Sequence, residues 1–295
     1  MRMDLLSLVV AEATDAGPRI VSDTRVVFPE GPRSSFKTGT LKTVIITRDV
    51  TICFAGDVIA GLNGVRGFAK ELRGGGPVDD LLLRLQELTS DDQRVVEFIV
   101  ATGKSTSQLT RIRNGGVERS LGSAWIGDQE GFERFQRARH TPLDHVSAME
   151  STLPPATRVM ARLRRAMQTV IDEPAIDSVG DFCVAVAYKP TGFEYLESTF
   201  IHVGRDIRVQ PGEDLISKMA QSVEEGGYTV SVVEPVEPGT AALGLNFPMA
   251  RLGMLYLPLE FDGGQFISDV SAHDFAKAVL ERFGIAMKNP MLRHG

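Results

Sequence analysis

Cysteine is scarce in this sequence. The 295 residues hold two, Cys53 and Cys183, without CxxC spacing and each inside an apolar run. That rules out a disulfide framework and a thiolate metal knot, and both read as reduced core residues. The five histidines (His140, His145, His202, His273 and His294) form no HExxH and no metal spacing with the cysteines, so no metal is expected. His140 and His145 flank Asp144, a combination that reads as an exposed loop rather than a base or ligand set. No run approaches the roughly 18 apolar residues of a membrane-spanning helix. Basic residues are outnumbered, giving a net charge of −6, which argues against nucleic-acid binding through clustered Lys and Arg. Asp4 and Glu12 interrupt the N-terminal run MRMDLLSLVVAEA, so it lacks the form of a secretory signal, and a cytoplasmic protein is expected.

Phosphate loops are missing too. GKST at 103–106 ends like a Walker A loop but has Phe98 where glycine is required, and it lies between two predicted strands. The GGG at 74–76 precedes Pro77 and reads as a connector. No cofactor is implied. Arg158, Arg162, Arg164 and Arg165 make one predicted helix locally basic, which reads as a solvated face.

What is present is an ordinary globular composition, 43% hydrophobic and 24% charged, with no low-complexity tract. LLSLVVAEA (5–13) and RIVSDTRVV (19–27) flank the turn cluster TDAGP, and a second hairpin spans 41–57. Two helical patterns follow, IAGLNGVRGFAKEL and VDDLLLRLQELT. Strand patterns return at 94–102, 107–115 and 123–127, then helical ones at 129–140 and 155–173. Strands are predicted again at 180–190, 193–204 and 206–212, a helix at 213–226, extended pieces at 228–235, 242–247 and 252–262, and a last helix at 269–284.

Hairpins, helices, hairpins and helices in turn predict an α+β fold in which two sheets are sandwiched by helices, a four-layer αββα arrangement. The expected division is a core over residues 1–205 and a C-terminal α/β extension over 206–295 that completes or packs on it.

One residue in the second hairpin stands out. LKTVIITRDVTICFAGD is apolar apart from its turn and ends, yet carries Lys42 at the start of its first strand. With TDAGP as a five-residue loop, Ala13 faces Arg19, and the antiparallel ladder then puts Val9 opposite Asp23 and Ser7 opposite Arg25. A hydroxyl therefore lies near Asp23, and Lys42 is placed to complete the group.

These residues resemble the N-terminal part of a proteasome β-subunit, a member of the N-terminal-nucleophile (Ntn) hydrolases. The ordered set is Asp23-Thr24-Arg25 after an apolar strand, then Lys42, Ile46, Val50, Ala55 and Gly56, then EFIVAT and AWIGDQEGFERF. The likeness covers residues 5–190 and implies the same αββα sandwich. It also implies Ser7 as nucleophile, Asp23 and Lys42 as its electrostatic partners, and Gly56 as an oxyanion donor. Asp177 and Ser178 fall in the region that assists the terminal amine, and Asp128 stands where the family carries a serine. In this family a hydroxyl is activated by the chain's own α-amine. This chain begins Met1-Arg2, so activity requires loss of MRMDLL to expose Ser7, with Leu6 preceding the cut.

The leading expectation is a non-catalytic proteasome-subunit-like protein serving in assembly or partner binding. The alternative is an Ntn amide hydrolase, peptidase or amidase, self-processed before Ser7; a second alternative is an unrelated sandwich that binds a small ligand. The expected partners are further copies of the chain or another subunit, and a peptide or small amide if active, without nucleic acid or membrane.

Overall fold

The structure is a computed structural model that describes residues 7–26, 39–90, 95–103, 108–141, 152–173, 175–202 and 228–288. The segment MRMDLL, the residues Asp144, His145 and His294, most of GKST, the strand and helix expected over 206–226 and the boundary expected at 205 lie outside them.

The first hairpin is β1 (Leu8–Glu12) and β2 (Arg19–Ser22), and the second is β3 (Thr43–Thr47) and β4 (Val50–Gly56). Two helices follow, α1 (Val58–Arg73) and α2 (Val78–Leu88). Asp57 starts α1 by accepting the Ala60 N–H at 2.9 Å, the usual way a side-chain oxygen satisfies an orphan donor at a helix start. Then come β5 (Val96–Thr102), β6 (Gln108–Arg113), β7 (Gly116–Glu118) and β8 (Ser123–Gly127). The helices α3 (Gln129–His140) and α4 (Pro155–Ile171) lead to β9 (Val184–Lys189) and β10 (Gly192–Tyr195).

Two five-stranded antiparallel sheets result, ordered β10-β9-β2-β1-β8 and β3-β4-β5-β6-β7. They face each other through β1, β4, β5 and β8, while α1 and α2 cover the second sheet and α3 and α4 the first. The order of layers is thus helix, sheet, sheet, helix, the expected αββα sandwich. Val44, Ile52, Phe54, Leu62, Val65, Phe98 and Val100 fill the space between the second sheet and its helices. Burying residues of this size stabilises the layer by about 1.5–3 kcal/mol each. Between the sheets the contacts include polar ones: Thr43 Oγ1 donates to Ser22 Oγ at 2.9 Å and the Tyr195 hydroxyl donates to the Thr43 carbonyl at 3.0 Å.

The chain forms two compact units. Unit 1, the sandwich, comprises residues 1–196 together with the later segments Pro238–Ala242 and Tyr256–Gly264. Within it Arg66 of α1 pairs with Asp262 at 2.8 Å and donates to the Pro258 carbonyl at 2.9 Å, and Thr40 Oγ1 donates to the Asp262 carbonyl at 2.9 Å. Unit 2 carries a third sheet, β11 (Thr199–His202), β12 (Tyr228–Val233), β13 (Leu243–Phe247), β14 (Leu252–Tyr256, ending at the unit boundary) and β15 (Gln265–Ser268). Its helix α5 (Ala272–Phe283) is capped by Ser271 and packs Phe275 against Gly244 and Gly253.

Two expectations are corrected. The β1–β2 register pairs Glu12 with Arg19 and Val9 with Ser22, one residue away from the expected ladder. The cause is that Ala13 leaves the hairpin, its N–H donating to the Gly122 carbonyl at 2.9 Å, while the turn closes between Thr14 and Gly17, where φ is +96°. Secondly, FEYLESTFIHVG is two strands rather than one: β10 stays in the first sheet and β11 belongs to the third.

Candidate active site

The strand ends gather at the head of β1. Ser7, immediately before β1, is 1% exposed, and Asp23, Thr24 and Lys42 are fully buried. Past Ser22 a side-chain carboxylate takes one of the two places in the next pair. Asp23 Oδ1 accepts the Leu8 N–H at 3.0 Å, and its own N–H donates to the Leu8 carbonyl at 3.3 Å. Lys42 Nζ donates to both Asp23 oxygens at 2.8 Å. Oδ2 also accepts the Arg25 and Gly180 N–H groups, each at 3.2 Å. A carboxylate offers about four lone-pair positions, so Asp23 is saturated.

Burial pushes the Lys42 ammonium below the ordinary lysine range, with Asp23 and then Asp181 opposing that shift and Arg25 reinforcing it. An ammonium so placed, bonded to the carboxylate that also accepts the Leu8 amide, favours negative charge nearby. In the corrected register Leu8 lies opposite Asp23, joined to it by backbone and side chain, which sets Ser7 next to the pair.

β8 holds Ser7 from the other side. Asp128 N–H donates to the Ser7 carbonyl at 2.7 Å. Gly127, at φ +102°, packs so closely that a Cβ there would stand 2.0 Å from the Ser7 carbonyl oxygen and 3.2 Å from Ala55 Cβ. Only glycine fits, and the same contact places the end of β4, Ala55-Gly56, beside the head of β1. Gly56, the last residue of β4, has φ +101°, a left-handed conformation that glycine adopts without steric cost, and pairs with Val96 of β5.

Asp128 also joins the loop 177–182 to the site. Its Oδ1 caps α3 through the Gly131 N–H at 2.6 Å, and its Oδ2 accepts the Ser178 hydroxyl at 2.9 Å. Of the pair expected in the amine-assisting region, Ser178 is therefore brought in through Asp128. Asp177 is exposed and meets the cluster by its carbonyl, which accepts from Arg25 Nη1 at 3.4 Å.

Two buried carboxylates escaped the sequence reading. Asp181 Oδ1 pairs with Arg25 Nε at 3.3 Å, and burial raises its pKa against the pull of Arg25. Glu97 on β5 lies opposite Ala55 and accepts the Gly127 N–H at 3.0 Å; burial raises it as well, opposed by that hydrogen bond and by Arg113 and Arg111. Among the described residues no group of His, Cys, Asp and Glu is arranged to hold a metal. Cys53 and Cys183 are buried free thiols whose pKa values burial pushes up to about 12, so neither is a thiolate nucleophile.

By layer order the described residues form a four-layer αββα sandwich, and Ser7, Asp23 and Lys42 meet at the head of β1. No protein-family model matches the sequence, and no curated protein matches it. Solved structures similar to it include a Gly-1 mutant of Anbu from Hyphomicrobium sp. strain MC1, with TM-score 0.45 and 14% identity, covering 74% of this chain and 93% of that one. HslV from Trypanosoma brucei is also similar, with TM-score 0.44 and 17% identity, covering 60% of this chain and 97% of that one. Among the described residues no helix is long and apolar enough to cross a membrane.

Proposed function

We propose that this protein is a proteasome-like Ntn amide hydrolase whose nucleophile is Ser7, freed by hydrolysis of the Leu6–Ser7 peptide bond. The observation that carries this reading is the fully buried Asp23–Lys42 pair, bonded to the Leu8 amide next to Ser7. Such a pair contributes little to stability, because desolvation offsets the attraction between the charges, and apolar residues of similar volume often serve as well. Its placement beside a serine whose carbonyl is fixed by Asp128 supports a chemical role.

In the proposed reaction Ser7 Oγ attacks the carbonyl carbon of a peptide or small amide. The α-amine of Ser7 takes the hydroxyl proton and delivers it to the departing amine nitrogen. Water then hydrolyses the acyl-Ser7 ester, releasing the acid and restoring the hydroxyl. Lys42 lowers the cost of negative charge at Ser7, Asp23 fixes Lys42, and the Gly56 N–H is the oxyanion donor. Ser178 holds the Asp128 carboxylate beside the Ser7 peptide. A second reading, a non-catalytic subunit for assembly or partner binding, is favoured by one fact: Ser7 is 1% exposed, which leaves a substrate no approach while that burial persists.

Turnover of a panel of fluorogenic peptide amides by the wild-type chain, Ser7→Ala and Lys42→Met tests the proposal. Wild-type turnover that vanishes in Ser7→Ala and falls about 10²–10³-fold in Lys42→Met, the scale of losing one transition-state electrostatic contact, is the expected result. Turnover undiminished in Ser7→Ala, or none in wild type across the panel, overturns it.

A further inference from the structure

The loop 177–182 is fastened to residues 23–25 by reciprocal bonds. Gly180 N–H reaches Asp23 Oδ2 at 3.2 Å, Thr24 N–H reaches the Gly180 carbonyl at 3.3 Å, and Phe182 N–H reaches Thr24 Oγ1 at 3.2 Å. The Arg25 guanidinium lies directly over Gly180, where a Cβ would come within 2.2 Å of it. This fastening turns Asp181 inward with φ +63°, a backbone conformation that non-glycine residues seldom adopt.

The inward turn leaves an open account of hydrogen bonds. Asp181 Oδ1 has Arg25, but among the described residues Asp181 Oδ2 is buried without a hydrogen-bond partner. A second such atom is the hydroxyl of Tyr256, a residue 2% exposed. Burial raises the Tyr256 phenol above its ordinary range, the Asp181 carboxylate adds to that rise and Thr24 opposes it, so both act on the hydroxyl. Buried polar atoms are seldom left unmatched. A carboxylate oxygen that only accepts and a phenol that donates are complementary.

We propose that Asp181 and Tyr256 are positioning residues of the Asp23–Lys42 site, the tyrosine hydroxyl donating to Asp181 Oδ2 through one bridging water. The segment Tyr256–Gly264 is then a working part of the site, tied down by Arg66 and Thr40 and delivering Tyr256 to it. The charged groups that act on Lys42 are Asp23, Asp181 and Arg25, and those that act on Asp181 are Arg25, Asp23 and Lys42. Tyr256 keeps Asp181 anionic, and Asp181 in turn supports the charge on Lys42. The role in catalysis rests on the hydrolase reading; the placement of charge around Lys42 does not.

Titration of Lys42 in the full chain, followed by NMR of ¹³C-labelled lysine side chains with Lys42→Met fixing the assignment, tests this. Asp181→Asn is expected to lower the Lys42 pKa by about one unit, the scale of removing one nearby opposite charge. Tyr256→Phe, which keeps the ring, is expected to shift it in the same direction by less. The pH profile of each variant's turnover is expected to move with it relative to wild type. Lys42 titrating as in wild type in both folded variants overturns the proposal. Absence of wild-type turnover, with the Lys42 shifts intact, overturns the hydrolase reading instead. If Asp181→Asn fails to fold, Tyr256→Phe alone decides.

Discussion

At the scale of single residues, the site is a set of buried charges whose partners differ in how replaceable they are. Asp23→Ala leaves Lys42 buried without its counterion and is expected to cost about 3–5 kcal/mol in denaturant unfolding, whereas Lys42→Met leaves Asp23 its Leu8, Arg25 and Gly180 N–H donors and is expected to cost less. Glu97 gives a pH test. Its pKa is raised from 4.5, so in the window just above 4.5 the folded state binds more protons than the unfolded one, and stability falls as pH rises through that window. Glu97→Gln keeps an acceptor for the Gly127 N–H and removes the buried charge. Its melting temperature is expected to exceed that of wild type at pH 8, with the difference shrinking towards pH 4. Lys42 was legible because a cation outside the turn interrupts an apolar hairpin. Glu97 interrupts the apolar run VVEFIVAT in the same way, and that signal could have found it. Asp181 had no such mark, since it lies among other acidic residues in a loop and its burial depends on the contact between Arg25 and Gly180.

At the scale of elements, the hairpins and helices followed from alternation and period, but registers did not. The β1–β2 ladder depends on where Ala13 sends its N–H, and that partner, Gly122, is 109 positions along in the chain from Ala13 by spatial contact alone, not by any local pattern. The β6–β7 turn at Asn114-Gly115, with φ of +48° and +69°, carried a readable Asn-Gly hairpin signal. The break between β10 and β11 carried none, because both halves have strand composition. Gly127 is the element junction on which the site most depends. Gly127→Ala forces either the Ser7 carbonyl or β8 to move. It is expected to lower the melting temperature and to abolish any removal of the residues before Ser7, a pair of effects that thermal unfolding and mass spectrometry check together.

At the scale of the whole molecule, the sandwich was legible from the order of elements, because stacked sheets with helices outside are what successive hairpins and helix pairs can bury. The return of later segments to the sandwich was not, since nothing local in Pro238–Ala242 or Tyr256–Gly264 distinguishes them from loops of unit 2. A chain ending at residue 196 lacks the buried Tyr256 and Leu257. It is expected to be less stable than the full chain by about 3 kcal/mol or more, the scale of burying two large side chains. Above all, the proposed hydrolase requires Ser7 at a free amine. The intact mass of the purified chain, wild type beside Ser7→Ala, asks this directly. Loss of the residues before Ser7 in wild type and their retention in Ser7→Ala is the expected result; a wild-type mass that stays intact over days, matching the variant apart from one oxygen, contradicts it.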